Sequence, residues 1–145
     1  MTKFMKLFGK MCFMVLCLAI GSKEAGAAVY TAVASGNFNT GLTWGGSAPG
    51  ALLSTDIVVI PAGIVVTMTG NEAFTGTSSL TVSGTLTGSP GATLSMTSGT
   101  LAGAGIITAD SIALGLVSGF TYTGTLVANK LTSLGLTLHL LQILR

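Results

Sequence analysis

From Gly70 onward, aliphatic residues alternate with threonine and serine in short runs, and Gly, Asn or Ser breaks each run after a few positions. Period-two alternation marks a strand with one buried face, because successive side chains point to opposite sides of a sheet. It predicts strands near Leu80–Val82, Thr85–Thr87, Thr93–Met96, Ile106–Thr108, Ser111–Leu114, Phe120–Tyr122, Thr125–Val127, Lys130–Thr132 and Leu136–Leu138. Leu80, Val82, Leu86, Leu94, Met96, Leu101, Ile107, Ile112, Leu114, Leu126 and Leu131 would face inward, with Thr and Ser outward. The triplet Gly-Thr-Leu returns at Gly84–Leu86, Gly99–Leu101 and Gly124–Leu126. Strands this short suit a coil whose turns each hold two or three of them, about 15 to 25 residues per turn. The expected fold class is therefore all-β, a β-solenoid.

The N-terminal half carries the same signals more sparsely. Val29–Val33 reads as a first strand with Val29, Thr31 and Val33 on one face. Ala34–Leu53 is rich in glycine and holds Phe38, Pro49 and the only tryptophan, Trp44, so it reads as a loop pinned by two aromatics. Trp44 would be a lid over the open end of the core; the competing reading makes Trp44 and Phe38 a stacking platform for a sugar. Ile57–Ile60 and Ile64–Met68 are β-branched runs joined by Pro61-Ala62-Gly63, a corner between two strands.

Composition changes the picture at the N-terminus. Lys3, Lys6 and Lys10 precede a ten-residue apolar run, Met11–Ile20, and Ala25-Gly26-Ala27 closes the segment with small residues. That is the three-part pattern of a secretory signal, and the run is half the length of about 20 residues that a membrane span needs. Residues 1–27 are thus expected to be removed, leaving no membrane span. The remaining stretches are a strand and capping loop over 28–55, solenoid repeats over 56–138, and a tail over 139–145. The tail reads either as a short amphipathic helix or as a coil cut short, and the open coil ends could self-associate.

Without the signal, Lys and Arg fall from six to two, Lys130 and Arg145, and the acids from four to three, Asp56, Glu72 and Asp110. The net charge moves from +2 to −1. Two isolated cations cannot neutralise a run of phosphates, so nucleic acid is not an expected partner. Both cysteines, Cys12 and Cys17, lie in the signal, leaving an exported chain without disulfides.

Catalytic constellations are missing from the pattern. His139 stands alone in an apolar tail, and Asp56, Glu72 and Asp110 are far apart in sequence. Asp56 and Asp110 occupy turn positions, where an Asp side chain bonds its own backbone. Gly103-Ala104-Gly105-Ile106 lacks the acid of a calcium-binding repeat and the lysine of a phosphate loop. No zinc cluster and no cofactor motif is present, so the expectation is a protein that is not an enzyme and has no metal or cofactor. Asp110-Ser111-Ile112 is similar to an O-glycosylation acceptor triplet of some exported bacterial proteins. One array remains: Thr67/Thr69, Thr85/Thr87 and Thr121/Thr123 recur at multiples of eighteen residues and would stack into a threonine ladder.

Ser35-Gly36-Asn37-Phe38, Thr43-Trp44, Ala48-Pro49-Gly50, Asp56 and Val58-Val59-Ile60-Pro61-Ala62-Gly63 together resemble a recurring opening of secreted bacterial surface proteins. Tyr30–Gly70 is also similar to the opening of an eight-glycine-type domain. The chain beyond Gly70 resembles the right-handed parallel β-helix repeats of adhesin-like and autotransporter-like passengers. Phe38 departs from that opening, which usually has a second tryptophan there. The resemblance implies a right-handed parallel solenoid, export to the bacterial surface, and a structural or adhesive role toward glycans or other surface proteins. Two further readings stand beside it: a carbohydrate-binding module using Trp44, and an ice-binding solenoid using Thr-x-Thr ladders.

Overall fold

The computed structural model describes residues 26–52, 54–115 and 119–133. Residues 1–25 of the expected signal segment, strand Leu136–Leu138, His139 and the tail lie outside the described residues. The chain is an all-β parallel solenoid of about four turns. An N-terminal layer holds β1 (Val29–Thr31), β2 (Gly36–Asn37) and a single 3₁₀ turn, Gly41–Trp44. The first full turn is β3 (Ile57–Ile60), β4 (Val65–Met68) and β5 (Glu72–Phe74). The second is β6 (Ser79–Val82), β7 (Thr85–Gly88) and β8 (Thr93–Met96). The third is β9 (Thr100–Gly103) and β10 (Ile106–Leu114), and the fourth β11 (Gly119–Tyr122) and β12 (Thr125–Ser133).

Each strand pairs in parallel with its counterpart one turn away. The first face runs β1-β3-β6-β9-β11. The second runs β2-β4-β7 and continues into the first halves of β10 and β12. The third runs β5-β8 and continues into their second halves. β10 therefore turns the corner between two faces without a break. Its burial parity records the bend: Ile107 and Ala109 are buried, Asp110 and Ser111 are both partly exposed, then Ile112 and Leu114 are buried. Ile57 pairs with Ser79, Ser79 with Thr100, and Thr100 with Gly119, offsets of 22, 21 and 19 residues.

The expected inward residues form continuous columns. Val58, Leu80, Leu101 and Phe120 are in register on the first face, and Val66, Leu86, Ile107 and Leu126 on the second. Each fully buried aliphatic stabilises by about 1.5–3 kcal/mol only because the next turn covers it. The face of Val29, Thr31 and Val33 is the outward one, while Tyr30 and Ala32 turn toward the core. β2, β5 and β9 are not among the expected strands. β9 begins in the second Gly-Thr-Leu, which proves to be unlike the other two: Gly84 and Gly124 open strands of the second face, and Gly99 opens one of the first.

The equivalent of Gly84 and Gly124 in the third turn is Gly105. A Cβ on Gly105 would sit on the carbonyl oxygen of Gly84, and one on Gly124 on that of Gly105. The same oxygens accept hydrogen bonds from Ile106 N and Thr125 N, both at 2.9 Å. The corner is thus a stack of bare backbone, closed too tightly for a side chain. Gly105→Ala should lower stability by about 1–3 kcal/mol through overpacking. Gly70→Ala, where a Cβ meets nothing within 4 Å, should cost far less. Urea midpoints of the two variants check this, and equal midpoints would count against the corner.

Candidate functional site

The N-terminal layer places three aromatics on top of the first turn. Phe38 is fully buried and Trp44 retains 8% exposure. Their rings meet edge to face at 5.3 Å, with Tyr30 edge-on to Trp44 at 6.4 Å. Trp44 Nε1 donates to Phe38 O at 2.6 Å, and Phe38 N donates to Thr67 O at 2.8 Å, tying the layer down to β4. Thr43 adds a bond from its hydroxyl to Asn37 O at 2.8 Å. Burial of this degree describes a lid. In this arrangement neither ring presents an open face on which a sugar could stack.

The carboxylates sit at three separate places. Asp56 is buried before β3, and its Oδ1 accepts from Ala28 N at 3.0 Å. Asp110 marks the bend of β10; its Oδ2 accepts from Gly91 N and its Oδ1 from Asn129 Nδ2, both at 2.6 Å. Asn71 Oδ1 accepts from Thr93 N at 3.0 Å. The turn reading has Asp56 and Asp110 bonding their own backbone, yet these bonds reach into neighbouring layers. A cleft of about 240 Å³ lies at the Asp110 corner, lined by Ser89, Pro90, Thr108 and Asn129 among others. Both Asp110 oxygens are already occupied there.

Glu72 is different, and the sequence pattern passes it over. It heads an inward column whose other members are Leu94, Ile112 and Leu131. It is 7% exposed, and its Oε1 accepts from Asn39 Nδ2 at 3.4 Å, a long bond. Burial pushes its carboxyl above the ordinary value of 4.5, and the Asn39 amide opposes that rise. A cleft of about 360 Å³ opens beside it, lined by Asn39, Gly50, Ala51, Leu52, Asn71, Glu72 and Ala73. A signal is present in the sequence: in Glu72-Ala73-Phe74 the acid shares parity with a buried phenylalanine. Tyr122, also buried, is pushed up to about 12 by burial, and its hydroxyl donates to Gly105 O at 2.8 Å.

Of the expected ladder, Thr67 and Thr87 are in register on the second face, and Thr85 stands beside Thr87. Thr108 extends the column, in register with Thr87. Thr69 falls in the corner after β4, Thr121 lies on the first face, and Thr123 in the corner before β12. On the second face a turn takes 20, 21 and then 19 residues, as from Thr67 to Thr87, Thr108 and Val127, so an eighteen-residue interval does not bring the pairs into register there. Among the described residues, no group of three or more His, Cys, Asp or Glu is placed to hold a metal ion, and no helix is long and apolar enough to cross a membrane. Compared with family models, curated proteins and solved structures, the chain has no match.

Trp44→Ala would leave a large cavity over the first turn and should cost about 3–5 kcal/mol, read from chemical denaturation. A loss under about 1 kcal/mol would be inconsistent with a lid. Glu72 supplies a pH prediction. Because folding raises its pKa, the native state holds the proton more tightly than the unfolded chain. Its contribution is fully present below pH 4.5 and is lost as pH rises through the raised folded value. The unfolding midpoint of Glu72→Gln should gain on that of the unaltered chain between mildly acidic and neutral pH. A difference independent of pH would refute the assignment.

Proposed function

We propose that this chain is a secreted or cell-surface, non-enzymatic structural module of adhesin-like kind, which works by presentation. A stiff stack of turns offers hydroxyl-rich, nearly uncharged faces to glycans, other surface proteins or further copies. The observation that carries this reading is the outward register. Thr67, Thr87 and Thr108 stack on the second face and Thr93 and Ser111 on the third, while on the first face Thr31, Thr81 and Thr121 alternate with Val59 and Ala102. Apart from Asp110 at the bend, Lys130 is the only outward charge on the strands of these three faces among the described residues. Export is supported by the pattern of residues 1–27. The hydrogen bonds that Asp56 and Asp110 accept from Ala28, Gly91 and Asn129 join layers, which fits a role without turnover.

A second reading, an ice-binding solenoid, is favoured by the second face alone. Its outward rows are Val65 and Thr67, Thr85 and Thr87, Ile106 and Thr108, then Thr125 and Val127. Rows repeat about every 4.8 Å, with about 7 Å between the two columns. Such a lattice of methyls and hydroxyls without charge is suited to ordered water.

One experiment separates the readings. Expressed from Met1, the chain should accumulate outside the cytoplasm with Ala28 as its first residue. Beads coated with it should be retained on glycan- or cell-coated surfaces, and a Thr87→Lys/Thr108→Lys double variant should lose about tenfold in retention with its unfolding midpoint unchanged. Thermal hysteresis lost in the same variant, with no retention to begin with, would select the ice-binding reading. Turnover of a polysaccharide would overturn both.

A further inference from the structure

Glu72 occupies a position that the solenoid elsewhere fills with hydrocarbon. Register places it at the head of Leu94, Ile112 and Leu131, where a leucine would complete the column. A carboxylate taken out of water is strongly disfavoured unless a partner compensates it. The hydrogen bond it accepts is the long one from Asn39 Nδ2. Lys130, the one Lys or Arg among the described residues, is three turns away on β12, about 14 Å by strand spacing. Among the described residues, no ionisable side chain other than Glu72 lines the cleft; Asn39 and Asn71 are neutral amides, and Gly50, Ala51, Leu52 and Ala73 are the other lining residues.

We propose that the cleft between the capping loop and β5 binds a primary ammonium group carried on a short aliphatic chain, with Glu72 as its counter-charge. The ammonium has three donors and no acceptor, and the site offers the Glu72 carboxylate together with the side-chain carbonyl of Asn39. Charge-assisted bonds of this kind are shorter and about twice as strong as neutral ones. Leu52, Ala51 and Ala73 supply apolar surface for the methylenes behind the charge, the way lysine stems lie along hydrocarbon. β5 is the end strand of its face, paired only with β8, so the N-terminal side of the cleft is walled by loop and not by another turn. Burial that raises the Glu72 pKa would be offset on binding, since a cation favours the ionised acid.

The probe is n-butylammonium chloride, titrated into the full chain at neutral pH and monitored by ¹H–¹⁵N correlation spectra. The Asn39 and Asn71 side-chain amides and the Gly50–Leu52 backbone should shift saturably. Affinity should fall about tenfold or more in Glu72→Gln, the loss of roughly one charge-assisted bond, and likewise when pH is lowered below the carboxylate range. Asn39→Ala, which keeps the carboxylate, should weaken binding by a smaller factor; it supplies the test if Glu72→Gln does not fold. Shifts of equal size with neutral n-butanol would overturn the proposal, as would no saturable shift, or binding unchanged in both variants.

Discussion

Successive turns stack at the spacing of hydrogen-bonded strands, about 4.8 Å, and everything else in the molecule answers to that distance. It is set by backbone, so it is the same at a corner as along a face. Where the chain bends from the first face to the second, it passes so close to the turn before that only hydrogen fits, hence Gly84, Gly105 and Gly124. Along the faces the same spacing brings Leu80 over Val58 and Leu101 over Leu80. The core is therefore a set of columns, each only as continuous as its weakest member. In the N-terminal layer the buried Phe38–Trp44 pair covers the first turn with side chains.

The walls are legible in the sequence because alternation and burial are the same fact seen twice. Every inward residue read from Leu80 to Leu126 is buried, and Leu131 packs against the core as a partly buried residue. What escapes is whatever depends on the length of a turn. Offsets of 22, 21 and 19 residues drift because the corners differ. Thr69–Asn71 separates β4 from β5, Ser89–Ala92 separates β7 from β8, and β10 turns at Asp110 with no separate loop. A fixed interval cannot track that drift, and a slip of one residue moves a side chain to the opposite face. The interval therefore names Thr67, Thr85 and Thr87, which lie on the second face, together with Thr69, Thr121 and Thr123, which do not belong to it. β5 and β9 escape for a related reason. Glu72-Ala73-Phe74 and Thr100-Leu101-Ala102-Gly103 have too few aliphatics to announce a strand, and their pairing to β8 and to β6 supplies what composition does not.

Polar side chains obey the same geometry. Asp56, Asp110 and Asn71 each use a side-chain oxygen to accept from a backbone N–H one layer away. Each position is a corner, where the regular ladder lapses and the side chain supplies the acceptor that a strand would. These acids and amides thus extend the hydrogen bonding of the sheet around its corners. Their spacing around the coil, one at the start of the first face and the others between second and third, keeps the two aspartates from acting on one bond.

Glu72 breaks that pattern, and its position explains why it can. A charge inside the stack would have apolar layers on both sides. At β5 there is a turn on one side only, and on the other a loop, an amide and a cleft of about 360 Å³. The N-terminal layer is where the repeat ends, where the aromatics gather, and where a column can finish in a carboxylate without another turn closing over it. A repetitive wall has little means of recognising one small molecule over another, because every row resembles the last. The irregular N-terminal layer is free of that constraint, so in the proposed reading a discriminating contact falls to the cap and a broad, hydroxyl-lined one to the walls.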